Sequence, residues 1–299
     1  MSHYPNTLVV GAPRCGTTSI FQYLRQHPDI YLPVRKELHY FTYQRLQENC
    51  NGPGDMGVLE TLCETKEEYF SHYKQVQNEK IICEISPSYL YYSDISQRLK
   101  AELGDIKIIV SLRDPVEKAY SQYMHLVRLN LEELDFYSAL IQEKDRANKN
   151  WGDIWRYAES SLYADRVSDY IKMFGQENVH VTFLENFIQD PVNAIQRIFQ
   201  FLEVDTELIP DMRVYNKSGK PRSKIVGQFF ARPNPLKNLI KGVVPEKIRV
   251  PLRLAILNWN SLEKEEISPE AKALLMAYFR EDTAKLEGLL GYPMPWRLK

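Results

Sequence analysis

The chain has 299 residues, of which 44% are hydrophobic and 26% are charged, so it can bury a full core and is not a disordered chain. A net charge of −1 argues against a protein that binds nucleic acid over its whole surface. No apolar run reaches the length of about 18 residues that a membrane-spanning helix needs, and residues 1–7 lack the pattern of a signal peptide, so we expect a soluble protein.

The first predicted strand, at residues 7–10, runs into the sequence GAPRCGTT at residues 11–18. Gly11 and Gly16 have the spacing of a P-loop, in which backbone N–H groups bind phosphate at the start of a helix. A P-loop NTPase has Lys where this chain has Thr17, and the cation here comes earlier, at Arg14. The loop is therefore expected to hold a phosphate without metal-assisted phosphoryl transfer, although a purely structural turn is the alternative.

Short β-branched runs alternate with helical patterns along the rest of the chain, as in parallel βαβ units. This pattern predicts an α/β fold, a P-loop-like single domain over residues 1–299 with a central parallel β-sheet flanked by helices. Further strands are predicted at residues 80–83, 106–112 and 179–183. Helices are predicted after the first strand, ending before residue 27, and then from residue 115 and at residues 162–174, 191–201 and 269–290.

The strand at residues 106–112 delivers an arginine, Arg113, at its carboxyl end. Ligands of open α/β sheets bind at this edge, which indicates a second anion site close to Arg14. Ser121 follows about two helical turns later and can place its hydroxyl near the same anion. Alternatively, Arg113 caps its own loop and Ser121 faces solvent.

Positive charge is concentrated between Arg213 and Arg253, where eleven Lys and Arg residues accompany one acidic residue, Glu246. Glycines and prolines interrupt this stretch, which predicts a basic flap or lid at about residues 213–256. It can close over a substrate or dock an acidic carrier protein or a membrane surface, and a solvated edge is the alternative.

The four cysteines show no Cys-x-x-Cys spacing, and they are Cys15, Cys50, Cys63 and Cys83. The pattern suggests neither a zinc site nor a disulfide framework, so we expect no metal and a reducing, cytoplasmic location.

Four motifs occur in a characteristic order: GAPRCGTT at residues 11–18, KELHYF at 36–41, EISPSY at 84–89 and RDPVEKAYS at 113–121. In this order they resemble the sulfotransferases that use 3′-phosphoadenosine 5′-phosphosulfate (PAPS). The similarity is greater to the heparan-sulfate-type and bacterial branch than to the cytosolic steroid and phenol branch. It extends to NKSGKPRS at residues 216–223 and to the C-terminal helix.

The resemblance implies that PAPS is the cosubstrate and that the bisphosphate PAP is the product. The first loop would hold the 5′-phosphosulfate, Arg113 and Ser121 would hold the 3′-phosphate, and the flap would close over the nucleotide. The implied nucleotide-binding residues are Arg14, Cys15, Gly16, Thr17, Thr18, Ser19, Arg113, Ser121, Lys217, Lys220 and Arg222.

The resemblance also implies the catalytic residues. Glu37 occupies the position of the family's catalytic base. From the residues themselves His39 is the second candidate, because residues i and i+2 of an extended segment share a face and an imidazole suits a base at neutral pH. Alternatively, Glu37 is an exposed partner of Lys36 or Arg35, and His39 is a buried structural histidine.

Arg14 stands where the family has Lys, and its fixed charge suits electrostatic stabilisation of the leaving group better than proton donation. Ile85 replaces a Lys that is common in glycosaminoglycan enzymes, which argues against a heavily sulfated or uronic-acid acceptor.

The predicted function is sulfuryl transfer to a hydroxyl, less favourably to an amine, of a carbohydrate, lipid, polyketide or carrier-bound acceptor. Two alternatives remain, a nucleotide kinase or related P-loop NTPase and a nucleotide-binding module without catalytic activity. Thr17 and Arg113 count against the kinase, because neither supplies the lysine or the metal-binding carboxylate of an NTPase.

Overall fold

The computed structural model describes residues 4–212, 252, 256 and 266–296. The strands in this part of the chain form one parallel sheet in the order β2-β3-β1-β4-β5. They are β1 Thr7–Gly11, β2 Ile30–Tyr31, β3 Ile81–Ile85, β4 Lys107–Leu112 and β5 Val179–Phe183.

Helices follow each strand and cover the sheet. The α-helices within the described residues are α1 Thr17–Leu24, α2 Tyr43–Glu48, α3 Asp55–Leu59, α4 Lys66–Ser71, α5 Ile95–Leu103, α6 Pro115–Arg128, α7 Phe136–Ile141, α8 Glu143–Asn148, α9 Ala164–Phe174, α10 Leu184–Gln189, α11 Pro191–Leu202 and α12 Pro269–Leu290. Short 3₁₀ helices lie at Tyr40–Thr42, Pro87–Leu90, Asp153–Trp155, Glu159–Ser161 and Gln176–Asn178.

The central strand β1 is buried throughout, and its middle residues are apolar, because both faces of the sheet are covered. Successive side chains of a strand point to opposite faces, so Val9 packs with Ile20 of α1 and Ile198 of α11, whereas Leu8 belongs to the cluster that contains Val167 of α9. The side chains of these residues, Leu8, Val9, Ile20, Val167 and Ile198, are fully buried. Burial of each stabilises the fold by roughly 1.5–3 kcal/mol relative to exposure.

The helix α6 begins where β4 ends because Asp114 caps it. The Asp114 carboxylate accepts hydrogen bonds from the N–H groups of Val116 at 2.8 Å and Glu117 at 3.3 Å, and Pro115 is the first helical residue. The inner face of α6 packs in a third apolar cluster with α7 and α12. This packing fixes the direction in which α6 leaves the sheet.

The C-terminal helix α12 is tied to the start of α9. Asp282 accepts hydrogen bonds from the backbone N–H groups of Tyr163 at 2.8 Å and Ala164 at 3.1 Å. The Tyr163 hydroxyl in turn donates to the carbonyl oxygen of Arg113 at 3.1 Å. Tyr163 and, through it, Asp282 of the C-terminal helix therefore hold the segment that follows β4 in place.

The predicted α/β fold with a central parallel sheet is confirmed. The strand predicted at residues 179–183 and the helix at 269–290 have the bounds that the structure shows, and the strand predicted at 80–83 is shifted to Ile81–Ile85. The edge strand Ile30–Tyr31 is not predicted, because two residues carry no recognisable pattern. The predicted flap lies, apart from residues 252 and 256, outside the described residues, and a single domain over residues 1–299 stays a prediction.

Candidate functional site

The loop between β1 and α1 is shaped by two glycines. A Cβ atom on Gly11 would lie 2.4 Å from the Cβ of Leu90, so only glycine fits there. Gly16 has a φ of 84°, in the left-handed region, and precedes the first residue of α1 without a side-chain cap. The loop thus exposes the first N–H groups of α1, which have no partner within the helix and favour an anion.

The loop is fixed to the neighbouring strand β4 through Ser111. The Ser111 hydroxyl donates to the carbonyl oxygen of Cys15 at 2.6 Å, and the Ser111 carbonyl accepts from the N–H of Ala12 at 2.6 Å. Cys15 itself is buried, and burial raises the pKa of its thiol to about 11. Cys15 therefore contributes its backbone to the loop, whereas its thiol packs inward.

Arg14 carries the loop's cation and contacts α6. Its Nε lies 3.3 Å from Oγ of Ser121 and donates to it. Burial, together with the positive charges of Arg128 and Arg113, lowers the pKa of Arg14 to about 10. A guanidinium group that two other arginines repel is one that a nearby anion would stabilise.

Arg113 is expected to share an anion with Ser121. In the structure, an Arg113 Nη lies 3.2 Å from the carboxylate of Glu117, one turn along α6, whereas Ser121 contacts Arg14. The positive charge of Arg113 nevertheless acts on Arg14, which contacts Ser121. Joint binding of one phosphate by Arg113 and Ser121 stays a prediction.

Glu37 lies at the centre of a small charged group. Lys36 Nζ donates to the Glu37 carboxylate and also lies 3.5 Å from Oγ1 of Thr17, at the start of α1. Burial acts to raise the pKa of the Glu37 carboxyl, but Lys36 and His39 outweigh it, and the pKa lies well below its ordinary value. The Glu37 side chain is nevertheless 45% exposed, so its carboxylate also reaches solvent.

His39 lies against Glu37, with its Nε2 3.7 Å from the Glu37 carboxylate. The other ring nitrogen, Nδ1, lies 2.5 Å from Oγ of Ser88, which is 2.7 Å from Oγ1 of Thr42. Because the Ser88 hydroxyl, itself bonded to Thr42, holds Nδ1 in the interior, Nε2 is the nitrogen that faces Glu37.

The predicted reason for the proximity of Glu37 and His39 is wrong. The two residues do not lie on one face of an extended segment, since their φ angles are 67° and 52°, both in the left-handed region. Hydrogen bonds that straddle the turn hold it: Glu37 N–H donates to the carbonyl oxygen of Ile85 at 3.0 Å, and His39 N–H donates to Oγ of Ser86 at 3.0 Å. The carboxyl end of β3 therefore positions both candidate bases.

The buried carboxylate of Glu84 supports this turn from behind. It accepts hydrogen bonds from Ser86 at 2.5 Å, Tyr89 at 2.7 Å and Tyr69 at 2.5 Å. Burial raises the pKa of Glu84, and the three donors act against that shift. Ile85 points to the opposite face of the sheet and is buried in its apolar cluster, so no cation comes from that position.

Some site residues are missed by the sequence reasoning. Arg128 is one of them, and Lys36, next to Glu37 in the motif KELHYF, is considered only as an ion-pair partner of Glu37 and not as a residue of the site. Arg128 is separated from Ser121 by two turns of α6, and nothing in the sequence indicates that it faces Arg14. Lys217, Lys220 and Arg222, which are predicted to bind the nucleotide, lie outside the described residues.

One group in the described part of the chain has metal-ligand character: Cys63, Glu68 and His72 place their ligand atoms within 4.8 Å of one another. A guanidinium nitrogen of Arg35 is 2.7 Å from the Cys63 sulfur and 3.4 Å from Glu68. The group therefore already contains a cation. No helix in residues 4–212 or 266–296 is long and apolar enough to cross a membrane.

Comparisons of the sequence and of the structure with known proteins both find sulfotransferases. A sequence model of the sulfotransferase family matches residues 5–207. A sulfotransferase of known crystal structure from Alicyclobacillus acidocaldarius is 32% identical, covers 98% of both chains and superposes with a TM-score of 0.78. A mouse sulfotransferase crystallised with PAP shares the fold at 18% identity and a TM-score of 0.50, over 97% of this chain and 90% of its own.

Among curated proteins, heparan sulfate glucosamine 3-O-sulfotransferase 6 from Mus musculus is 24% identical over 244 residues, which are 78% of this chain. The membrane-associated sulfotransferase kil1 from Dictyostelium discoideum is 34% identical over 119 residues, or 40% of this chain. The aligned parts cover 65% and 22% of these two relatives, so each is longer than the region it shares with this chain.

Proposed function

Because the chain belongs to the sulfotransferase family, we propose that it transfers a sulfuryl group from PAPS to a hydroxyl group of an acceptor. The observation that carries this proposal is the contact between Arg14 of the phosphate loop and Ser121 of α6, with the group formed by Lys36, Glu37 and His39 beside them. An anion site and a candidate base thus lie together at the carboxyl ends of the strands, where ligands of α/β proteins bind.

The described residues fit a nucleotide that carries two separate anionic groups. The loop offers the backbone N–H groups of residues 16–18 and the hydroxyls of Thr17 and Thr18, while Arg113 and Arg128 add positive charges that repel Arg14. In this proposal the loop holds the 5′-phosphosulfate, and Arg113 and Ser121 hold the 3′-phosphate. When bound, PAPS supplies an activated sulfuryl group and leaves as the bisphosphate PAP.

Arg14 has an electrostatic role in this proposal. Its guanidinium is fixed by Ser121 and remains protonated at neutral pH even though its pKa is lowered to about 10. It therefore stabilises the negative charge that develops on the leaving phosphate, and it does so without donating a proton. Lys36, which reaches Thr17, adds a second cation at the same end of the loop.

Glu37 is our first candidate for the base that accepts the acceptor's proton, and His39 is the second. Glu37 is weakly basic while Lys36 is bound to it. An anion in the loop competes for Lys36, and its negative charge raises the pKa of Glu37, so nucleotide binding makes this carboxylate a better base. His39 is anchored through Ser88 and keeps the carboxylate oriented.

The remaining parts of the proposal concern the residues beyond 212 and the acceptor. Lys217, Lys220 and Arg222 are proposed to close over the phosphates, and the basic flap is proposed to face the acceptor, an acidic carrier protein or a membrane surface. The acceptor is proposed to be an alcohol on a carbohydrate, a lipid or polyketide, or a carrier-bound chain. The four free thiols are compatible with the proposed cytoplasmic location.

Two measurements test the proposed function. Calorimetry with PAP, set against ATP with Mg²⁺, separates a sulfotransferase from a kinase, and we expect PAP to bind more tightly. Turnover of radiolabelled PAPS with a panel of alcohols separates an enzyme from a binding module, and we expect the rate to be unchanged by EDTA. Tight binding of ATP that requires Mg²⁺, or PAP binding without turnover on any alcohol, would contradict the proposal.

A further inference from the structure

Three buried polar side chains form a hydrogen-bonded row that begins at the ring of His39. Nδ1 of His39 lies 2.5 Å from Oγ of Ser88, and Oγ of Ser88 lies 2.7 Å from Oγ1 of Thr42. Two 3₁₀ helices that contact each other carry the hydroxyls, Thr42 at the end of Tyr40–Thr42 and Ser88 within Pro87–Leu90. Because each hydroxyl has one hydrogen and a neutral imidazole has one N–H, the direction of each bond in the row constrains the next.

The direction is set on the other side of the ring, where Nε2 of His39 lies 3.7 Å from the Glu37 carboxylate. Lys36 and His39 hold the pKa of Glu37 well below its ordinary value, so this carboxylate is ionised and only accepts hydrogen bonds. A lone pair on Nε2 would be repelled by that negative charge, whereas an N–H group there is attracted to it. The neutral ring therefore carries its hydrogen on Nε2, and Nδ1 accepts a hydrogen bond from Ser88.

The distances around Thr42 agree with this direction. Once Ser88 has given its hydrogen to Nδ1, its oxygen accepts the hydrogen of Thr42. Thr42 Oγ1 is 2.7 Å from Ser88 Oγ but 3.3 Å from the carbonyl oxygen of His39, so the shorter contact is the one that this direction uses. A doubly protonated ring would reverse the row and leave Thr42 the longer contact. Lys36 already pairs with Glu37, so the carboxylate does not need a charged imidazole as its counter-ion.

We propose that Ser88 and Thr42 are positioning residues that fix His39 as the tautomer with its hydrogen on Nε2. In this form His39 orients the Glu37 carboxylate and does not itself take the proton of the acceptor. The only lone pair of the ring is on Nδ1, where Ser88 binds it in the interior, so it is not available to an acceptor hydroxyl. The inference rests on the proposed sulfuryl transfer and deepens it, because it leaves Glu37 as the base.

The tautomer is measured without turnover, by ¹⁵N NMR of the full chain with ¹⁵N-labelled histidine at about pH 8.5, where an imidazole is normally neutral. Protonated and unprotonated ring nitrogens have widely separated shifts, and the His39 signals are those that the His39→Gln variant lacks. Ser88→Ala and Thr42→Val each remove one hydroxyl, whereas Thr42→Ser keeps it. Ser161→Ala is the matched control, because Ser161 is also buried and donates to the carbonyl oxygen of Tyr157 at 2.6 Å. Calorimetry with PAP on each variant shows whether the phosphate site is intact.

We expect the wild-type His39 to be protonated at Nε2 and unprotonated at Nδ1. Ser88→Ala should move the Nδ1 signal, because this nitrogen loses its donor, and should lower kcat roughly 10-fold at unchanged PAP affinity. Thr42→Val should have a smaller effect of the same kind, and Thr42→Ser and the control should change neither quantity.

A wild-type ring protonated at Nδ1 or at both nitrogens would overturn the proposal, and so would a Ser88→Ala variant with the parental Nδ1 signal or the parental kcat. The expected tautomer in a protein that sulfates no alcohol would instead overturn the proposed function and leave the hydrogen-bonded row in place.

Discussion

Arg14 Nε and Ser121 Oγ are 3.3 Å apart although 107 residues separate them in the chain. The contact joins the phosphate loop to the middle of α6. It thereby connects the two ends of the proposed nucleotide site, since the loop is assigned to the 5′-phosphosulfate and Ser121 to the 3′-phosphate. A nucleotide that carries both groups would bind to two elements that already touch, which reduces the cost of ordering them.

Replacement of Arg113 tests the assignment of the 3′-phosphate. Arg113→Ala should weaken PAP by roughly 1.5–3 kcal/mol and adenosine 5′-phosphate far less, because only PAP has the group that the guanidinium binds. Isothermal titration calorimetry with both nucleotides measures the difference, and Arg197→Ala on the exposed face of α11 is the control. Equal losses for the two nucleotides would assign Arg113 a structural role, through its pairing with Glu117.

Replacement of Arg14 distinguishes the effect of its positive charge on kcat from the effect of its guanidinium shape. Arg14→Ala should lower kcat by roughly 10²–10³-fold, whereas Arg14→Lys should retain measurable activity because the charge survives. Without nucleotide, Arg14→Ala should not lower the melting temperature, since it relieves repulsion from Arg113 and Arg128. Parental activity in Arg14→Ala would leave the loop without an electrostatic role in the transfer step.

The two candidate bases are distinguished by paired substitutions. Glu37→Gln should cut kcat by roughly 10²–10⁴-fold and leave PAP affinity nearly unchanged, because the amide keeps the shape of the side chain and loses its basicity. His39→Ala should lower kcat by a smaller factor. Steady-state kinetics with calorimetry on the same samples measures both, and Glu48→Gln on α2 is the control.

The opposite ranking, with an active Glu37→Gln beside an inactive His39→Ala, would transfer the role of base to His39. The outcome is informative because the two side chains are 3.7 Å apart and share one turn. A loss of activity in both variants together with loss of PAP binding would indicate that the turn itself had collapsed.

Lys118 makes the stability of the fold depend on pH. Burial lowers the pKa of Lys118 to about 7 from its ordinary value of 10.5. Between these two pH values the unfolded chain binds more protons, so this residue makes the wild type more stable as the pH rises, by up to about 1.4 kcal/mol per pH unit. Below pH 7 its destabilising effect is fully present.

Lys118→Met should therefore be more stable than the wild type at pH 6, and the advantage should shrink steadily as the pH rises from 7 toward 10. Urea unfolding at pH 6, 7, 8 and 9 measures the difference in free energy of unfolding between the two proteins. A difference that does not vary with pH would show that the ammonium group has no such cost in the folded state.

The sequence predicts most strands and the glycine-bounded turn after β1 well because their signals are local. A β-branched strand followed by a glycine-bounded turn is recognisable within a dozen residues, and Asp114 and Pro115 identify the start of α6. The environment of Glu37 is not predictable in this way. Its turn has two residues in left-handed conformations, and it depends on hydrogen bonds to β3, which is more than 40 residues away in the sequence.

The same reasoning explains the residues that were missed. Arg128 comes to the site through the packing of α6 against α7 and α12, which no local pattern encodes. Its contribution follows from tertiary structure, so a list of candidate residues drawn from motifs alone is incomplete.

The bond from Asp282 to the start of α9 has a consequence for how much of the chain makes a working unit. The family match ends at residue 207, but Asp282 holds Tyr163, whose hydroxyl holds the backbone of Arg113. A protein trimmed to the matched region would keep the strands β1–β5 and every motif residue up to Ser121, and would still lose the hydrogen bonds that support Arg113, the arginine proposed to bind the 3′-phosphate. Minimal versions of this fold should therefore retain the C-terminal helix.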